Sequence, residues 1–335
     1  MAEIVGGQAC RNSELDGCKF LLICLVVIGH CIEPTRYMTA FSGHLYSCIY
    51  LFHMPLFVIL SGYFTKDGVT LLKLFKSSIG LLETYLFVTT FIILFVTRDV
   101  SNMLSPVLST WYLLSLIFWR YLVFFMGGVK ELHKNLLAIS ILLSALTFVS
   151  PFDYGKDILA LNRTLQFFPF FCLGYYLRTI DFVCLKRSHI RHTLLLLSIS
   201  LIAILGLLDS RLIHLLCFRR SSIFVVSRET NIGYTQLLLV KLYVDVSAVV
   251  ISLCVLSFSE FLKKFALWGR YTMTIFVVQA LLVHSITYKL PVNVILELAL
   301  SIVVIIAGIW ISNKGYGKFL RNPVTSLIKS CVNVV

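Results

Sequence analysis

Charge is scarce in this sequence. Only 13% of its 335 residues are Asp, Glu, Lys or Arg, and just 16 are acidic. With 59% of the chain hydrophobic and a mean hydropathy of +0.91, a soluble domain of this length is excluded, because its surface could not cover so much apolar side chain. The ten cysteines form no Cys-x-x-Cys pair and no regular framework, so no disulfide scaffold is indicated; Cys24, Cys172 and Cys254 lie inside apolar runs and act there as small hydrophobes. Met1 to Cys10 lacks the basic region, short apolar stretch and cleavage site of a removable signal peptide, so the first apolar run is expected to direct insertion. No inverted or parallel repeat is visible, which removes the sequence pattern of many secondary transporters. The net charge of +13 is dispersed in short clusters between apolar runs, not gathered on one basic and aromatic face, and this argues against a nucleic-acid partner.

What the sequence has in abundance is runs of roughly 17 to 25 apolar residues, the length that crosses a hydrocarbon core of about 30 Å. Their recurrence predicts an all-α polytopic membrane protein with ten helices, at about 15–33, 46–64, 79–97, 111–126, 135–150, 165–180, 193–208, 234–257, 271–288 and 293–312. An even number places both termini on one side. With that side cytoplasmic, the inner segments carry about twice as many Lys and Arg as the outer ones, in agreement with the positive-inside bias. Among the outer positives, Arg211, Arg219, Arg220 and Arg228 share one segment, 209–233. It is the longest outer connection, expected to be a loop without obvious structure whose apolar stretch Leu212 to Phe218 could lie in the interface; loops of that length are more often functional than decorative.

The first helix is the most informative. Phe20 to Ile32 is too short to span alone, so the helix must continue back through Lys19 and Asp16. Asp16, Lys19 and His30 are spaced by 3 and 11 residues. Lys19 and His30 therefore fall within roughly 20° of one face, about 16 Å apart. In the second helix, Pro55 is expected to kink the backbone beside His53, and Gly62 to allow a close approach. Two histidines thus sit at similar depth on consecutive helices. Imidazole is suited to accept a hydroxyl proton near neutral pH, and ionisable groups inside a membrane are functional candidates by default. The bland alternative has Lys19 snorkelling to headgroups and His30 bonded to a neighbouring helix. A haem or metal reading needs further ligands, and no third histidine lies at matching depth. Lys241 and Asp245, four apart, predict an intrahelical ion pair. Arg120 is expected to snorkel, and Glu83 to counter Lys76 or face water.

The string Asn12-Ser13-Glu14-Leu15-Asp16-Gly17-Cys18-Lys19 running to Val26-Val27-Ile28-Gly29-His30, followed by Phe52-His53-Met54-Pro55-Leu56-Phe57 and Ser61-Gly62-Tyr63-Phe64, resembles the opening signature of the membrane acyltransferase family three, close to its fucose 4-O-acetylase-like subgroup. Weaker matches follow in order at Trp111-Tyr112-Leu113-Leu114 with Trp119-Arg120, at Arg163-Thr164 leading to Phe168-Pro169-Phe170-Phe171 and Leu173-Gly174-Tyr175-Tyr176, and at Trp268-Gly269-Arg270 with Thr274-Ile275-Phe276. The resemblance covers nearly the whole chain. It implies a single integral membrane acyltransferase domain over 1–335 with about ten helices, transferring an acyl group, usually acetyl from acetyl-CoA, to a sugar hydroxyl of a surface polysaccharide, lipopolysaccharide or related glycan, in the inner membrane of a bacterium and without a metal. Carried over residue by residue, it implies His30, His53 and Arg163 as catalytic residues. Asp16, Lys19, Ser61, Gly62, Tyr63, Lys73 and Lys76 fall at substrate or donor positions. Lys19, Lys73 and Lys76 stand where many members have arginine, which keeps the charge but loses the bidentate fork for phosphate. Thr84 stands where proline is common, and Gln279 where a histidine often occurs, with His284 five residues on. On this reading acyl-CoA phosphates dock at the inner lysines, His30 or His53 takes the hydroxyl proton, and Arg163, the other histidine or a backbone amide near Ser61 meets the oxyanion. A transporter or flippase of glycan or lipid intermediates is the rival expectation, and a degenerate family member the third.

Overall fold

The computed structural model describes residues 12–98, 106, 108–151, 158–179, 182–219, 221–286, 293–323 and 325–326. In chain order its α-helices are α1 (Ser13–Cys31), α2 (Ala40–Tyr63), α3 (Leu71–Ile92), α4 (Trp111–Gly127), α5 (Lys130–Lys134), α6 (Leu136–Val149), α7 (Leu161–Leu177), α8 (Ser188–Leu205), α9 (Ser210–Phe218), α10 (Ile223–Thr230), α11 (Tyr234–Ser257), α12 (Ser259–Leu262), α13 (Thr272–Ile286), α14 (Val294–Asn313) and α15 (Gly317–Arg321). No strand occurs among the described residues. Each of the ten expected segments falls on a helix; residue 180 of the sixth, residues 287 and 288 of the ninth, and the side chain of His284 lie outside the described residues.

By length and composition five helices, α2, α3 with its π-helical extension to Thr97, α8, α11 and α14, are long and apolar enough to cross a membrane. A sixth candidate is the pair Ser259–Phe265 and Trp268–Val283, bent by 75°. The chain is therefore a multi-pass helical membrane protein. α4 and α6 are apolar but shorter, with 17 and 14 residues, and α1 carries Glu14, Asp16 and Lys19 in its first two turns.

α2 is the hub of the bundle. The buried share of its apolar window is 67%, against 11% for α8 and 22% for α14, which face outward. It begins in a capping box, Thr39 with Ser42, and runs unbroken past Pro55, although proline removes one helical hydrogen bond there. It crosses α7 with backbones in close approach. A Cβ on Gly62 would overlap the Phe171 carbonyl, and one on Gly174 the Ile59 carbonyl, so each glycine receives the other helix's backbone. Asn12 caps α1, its side chain accepting from the amides of Glu14 and Leu15 at 3.1 and 3.2 Å.

The segment 209–233 departs from its expected irregular course. Asp209 caps α9, and α9 and α10 form a helical hairpin. Leu212, Ile213, Leu216, Cys217, Ile223 and Val226 are buried in one core cluster with Tyr46, Ile49 and Tyr50 of α2 and Val244 and Ile251 of α11. The apolar stretch is thus buried against protein, which satisfies its hydrophobic surface without lipid. Glu83 also differs from expectation: it accepts hydrogen bonds from the Thr325 amide and hydroxyl at 3.2 and 2.6 Å, tying the C-terminal segment to α3.

Candidate functional site

The packing of α1 on α2 brings His30 and His53 to one cavity of about 180 Å³. Its remaining wall includes Met54 and Phe57 of α2, Ser109, and Trp111, Tyr112 and Leu116 of α4, closed by Met273 and Phe276 of α13. His53 is 1% exposed, and its Nδ1 lies 2.7 Å from the Ile49 carbonyl oxygen. A carbonyl only accepts, so Nδ1 carries the proton and Nε2 is left with a lone pair. His30 occupies the last turn of α1. Its Nδ1 is 3.4 Å from Glu33 Oε2 and 3.5 Å from the Tyr50 hydroxyl. The carboxylate is the stronger acceptor, which favours the proton on Nδ1 here too.

The turn after α1 holds Glu33 in place. Arg36 Nη1 donates to the Glu33 carbonyl at 2.5 Å and lies 3.8 Å from its carboxylate. The buried Thr35 hydroxyl donates to Glu297 at the start of α14 at 2.5 Å, and Ser42 Oγ donates to the Thr35 carbonyl at 2.7 Å.

Arg163 comes from the first turn of α7. Its guanidinium lies 5.4 Å from the ring of Trp111, a lining residue of the cavity, and reaches the cavity through that cation–π contact instead of lining it. Ser61 does not line this cavity but braces it. Its hydroxyl donates to the Phe57 carbonyl at 2.8 Å, so the Tyr112 hydroxyl, 2.6 Å away, donates to Ser61. Gly62 serves the α2–α7 crossing, and the Tyr63 ring packs edge-on against Phe64.

At the other end of α1, Asp16 pairs with Lys19 at 3.2 Å, and the Lys19 ammonium sits 3.6 Å from the Phe64 ring centre. Phe64 borders a second, open cleft of about 850 Å³, lined by Lys66, Lys73, Ser77, Arg120, Phe124, His133 and Tyr175 among others. Arg120 thus faces a cavity instead of snorkelling. Lys73 lines the cleft, whereas Lys76 is exposed on α3 beyond its wall. Across the cleft, Tyr175 and Arg178 both donate to Asp67, and Arg178 also donates to the Thr65 carbonyl.

Sequence reasoning missed Glu33, Tyr50 and the hairpin residues. The Tyr50 ring stacks on Tyr46 at 4.1 Å and on Phe218 of α9 at 5.2 Å, and meets His53 edge-on at 4.7 Å. His214 of α9, outside the spanning helices, lies between the hydroxyls of Tyr37 and Tyr46, at 2.6 and 3.3 Å. Burial, reinforced by the Arg36 charge, holds its pKa down to about 4. The Lys241–Asp245 pair forms at 2.5 Å, and Arg219 joins it at 2.5 Å from the same carboxylate. Gln279 accepts from Ser109 at 3.4 Å.

The structure thus brings two histidines to one aromatic-walled cavity and places a basic cleft beside it in a multi-pass helical bundle. The acyltransferase-domain family matches residues 12–314, and the chain belongs to that family, acyltransferase family three. Two curated relatives are both named nodulation protein NolL. That of Sinorhizobium fredii is 29% identical over 219 residues, covering 59% of this chain and 57% of the relative. That of Mesorhizobium japonicum is 30% identical over 184 residues, covering 49% and 47%. The chain spans about half the length of these relatives. No solved structure matches it.

Proposed function

We propose that the protein is a membrane O-acyltransferase that moves an acyl group, acetyl foremost, from acyl-CoA to a hydroxyl of an exported or surface glycan. It works in a bacterial inner membrane, with ten crossings and both termini in the cytoplasm. The observation that carries this reading is the meeting of His30 and His53 in one cavity within a chain of the acyltransferase family, with a basic cleft sharing α3 and α4 with that cavity.

On this reading the acyl-CoA phosphates sit at the cytoplasmic cleft, met by Lys66, Lys73 and Arg120, with Lys19 at its border and Lys76 adding charge from outside. The thioester reaches along α4 toward the histidines. His30 is the general base. Glu33 accepts from its Nδ1–H, fixes the ring and stabilises the imidazolium that forms, and Nε2 takes the hydroxyl proton. The acceptor oxygen attacks the thioester carbonyl, and the developing oxyanion faces the positive Arg163–Trp111 wall. The C–S bond then breaks, and the proton on His30 passes to the departing thiolate. His53, with Nδ1–H committed to Ile49, offers Nε2 as an acceptor that orients a second acceptor hydroxyl.

The test is mass spectrometry of surface glycans from cells carrying the intact protein, His30→Ala or no protein, at matched membrane levels. Loss of one acyl mass increment in both the variant and the null supports the reading and identifies the group. Acylation that persists in the null would sink it and favour a transport role.

A further inference from the structure

Arg219 and Phe218 form the tip of the α9–α10 hairpin, and that tip lies deep in the bundle. Asp245, which Arg219 contacts at 2.5 Å, is eleven residues into α11, about 16 Å along its axis. Arg219 adopts φ 53°, and its side chain is 1% exposed. Irregular backbone at the level of a spanning helix is tolerated only where protein buries it or it lines a cavity. A buried arginine there is costly unless it has work to do.

Two chains of contact lead from this tip to the cavity. Phe218 stacks on Tyr50, whose hydroxyl is 3.5 Å from His30 Nδ1 and whose ring packs on His53. The Arg219 guanidinium lies 5.0 and 4.6 Å from the rings of Phe167 and Phe170. Phe167 stacks on Trp111 at 5.0 Å, and Trp111 both lines the cavity and carries Arg163. One tip therefore backs the histidine pair and the arginine wall together. Asp245, itself held by Lys241, anchors the tip.

We propose that the hairpin tip is a brace of the active site, with Arg219 and Phe218 acting as positioning residues that hold Trp111–Arg163 and His30–His53 in register for acyl transfer. The proposal rests on the acyltransferase reading. Neither residue lines the basic cleft, so loosening the brace slows turnover and leaves donor binding intact.

The test uses the full-length protein. Membrane vesicles from expressing cells, with radiolabelled acetyl-CoA and endogenous glycan, give turnover and donor KM. Acrylamide quenching of purified protein, taken as the difference with and without Trp111→Phe, reads the order of the wall independently of catalysis. Arg219→Ala and Phe218→Ala are expected to lower the maximal rate by roughly tenfold or more, since small misplacements at a reacting centre cost that much. The donor KM stays within about twofold, Arg219→Lys recovers part of the rate, and Trp111 becomes more readily quenched on Arg219→Ala. Wild-type rate and quenching in Arg219→Ala would overturn the brace. If Arg219→Ala fails to accumulate, Asp245→Asn loosens the same anchor, and wild-type rate and quenching there would overturn it equally. Absence of transfer by the intact protein would overturn the acyltransferase reading instead, while the quenching comparison still decides the brace.

Discussion

The two cavities on α4 are opposites. Tyr112 lines the histidine cavity and Arg120 the basic cleft, eight residues or about 12 Å apart on one helix. The first is about 180 Å³, walled by aromatic and aliphatic side chains around two imidazoles. The second is about 850 Å³ and open, with exposed lysine at its rim. Capture of a large anion needs charge that water can reach, so that desolvation does not cancel the attraction. Proton transfer needs groups held apart from water, where fixed partners decide tautomer and direction. On the proposed function, one helix bundle divides the two tasks along its axis.

The sharpest way to break this comparison is to remove the buried partners and then the exposed ones. His30→Ala should lower turnover by about 10² to 10⁴, the range for loss of a general base, with donor KM little changed; transfer assays with labelled acetyl-CoA check this. Glu33→Gln keeps the shape but removes the charge opposite His30, and a smaller loss of roughly tenfold is expected in the same assay. The double variant Lys73→Ala, Lys76→Ala should do the reverse. Donor KM rises several-fold, by about 3 to 10, turnover holds, and the effect fades at high salt as exposed charges are screened. If the lysine variant instead lost turnover at unchanged KM, the division between cleft and cavity would be wrong.

A smaller effect separates the hairpin from both cavities. His214 packs among Tyr37, Tyr46 and Phe218, with Arg36 and Glu33 close by. Its pKa is depressed to about 4 in the folded protein, against about 6.5 in an unfolded chain. The unfolded state therefore binds more protons between those values. Stability from this site is fully present above about pH 6.5 and is lost as pH falls toward 4. His214→Gln should flatten that part of the melting-temperature profile of purified protein; an unchanged acid slope would remove His214 as its source.

That His30 and His53 meet in one cavity was legible because ionisable groups inside apolar runs stand out against their surroundings, whereas of the lysines Lys19, Lys73 and Lys76 only Lys73 lines the cleft. Glu33 was not legible, since it follows the first helix in a turn, where an acidic residue is unremarkable. Tyr50, Phe167 and Trp111 were hidden for another reason: in a chain with 13% aromatic residues, a single ring carries no spacing signal that separates a wall from a core. The hairpin escaped because reading for membrane spans weighs long apolar runs, and α9 has nine residues. Its anchor joins Arg219 to Asp245 across 26 positions, a pairing that only tertiary packing reveals. The Lys241–Asp245 pair, by contrast, obeys helical spacing and was visible from the sequence.

The shortness of α6 bears on the lipid around the protein. In the ten-crossing arrangement, its 14 residues reach about 21 Å, against a hydrocarbon core of about 30 Å. Lipid beside α6 must compress to meet it, at a cost of fractions of a kcal/mol per Å. On that arrangement the bilayer thins next to α6.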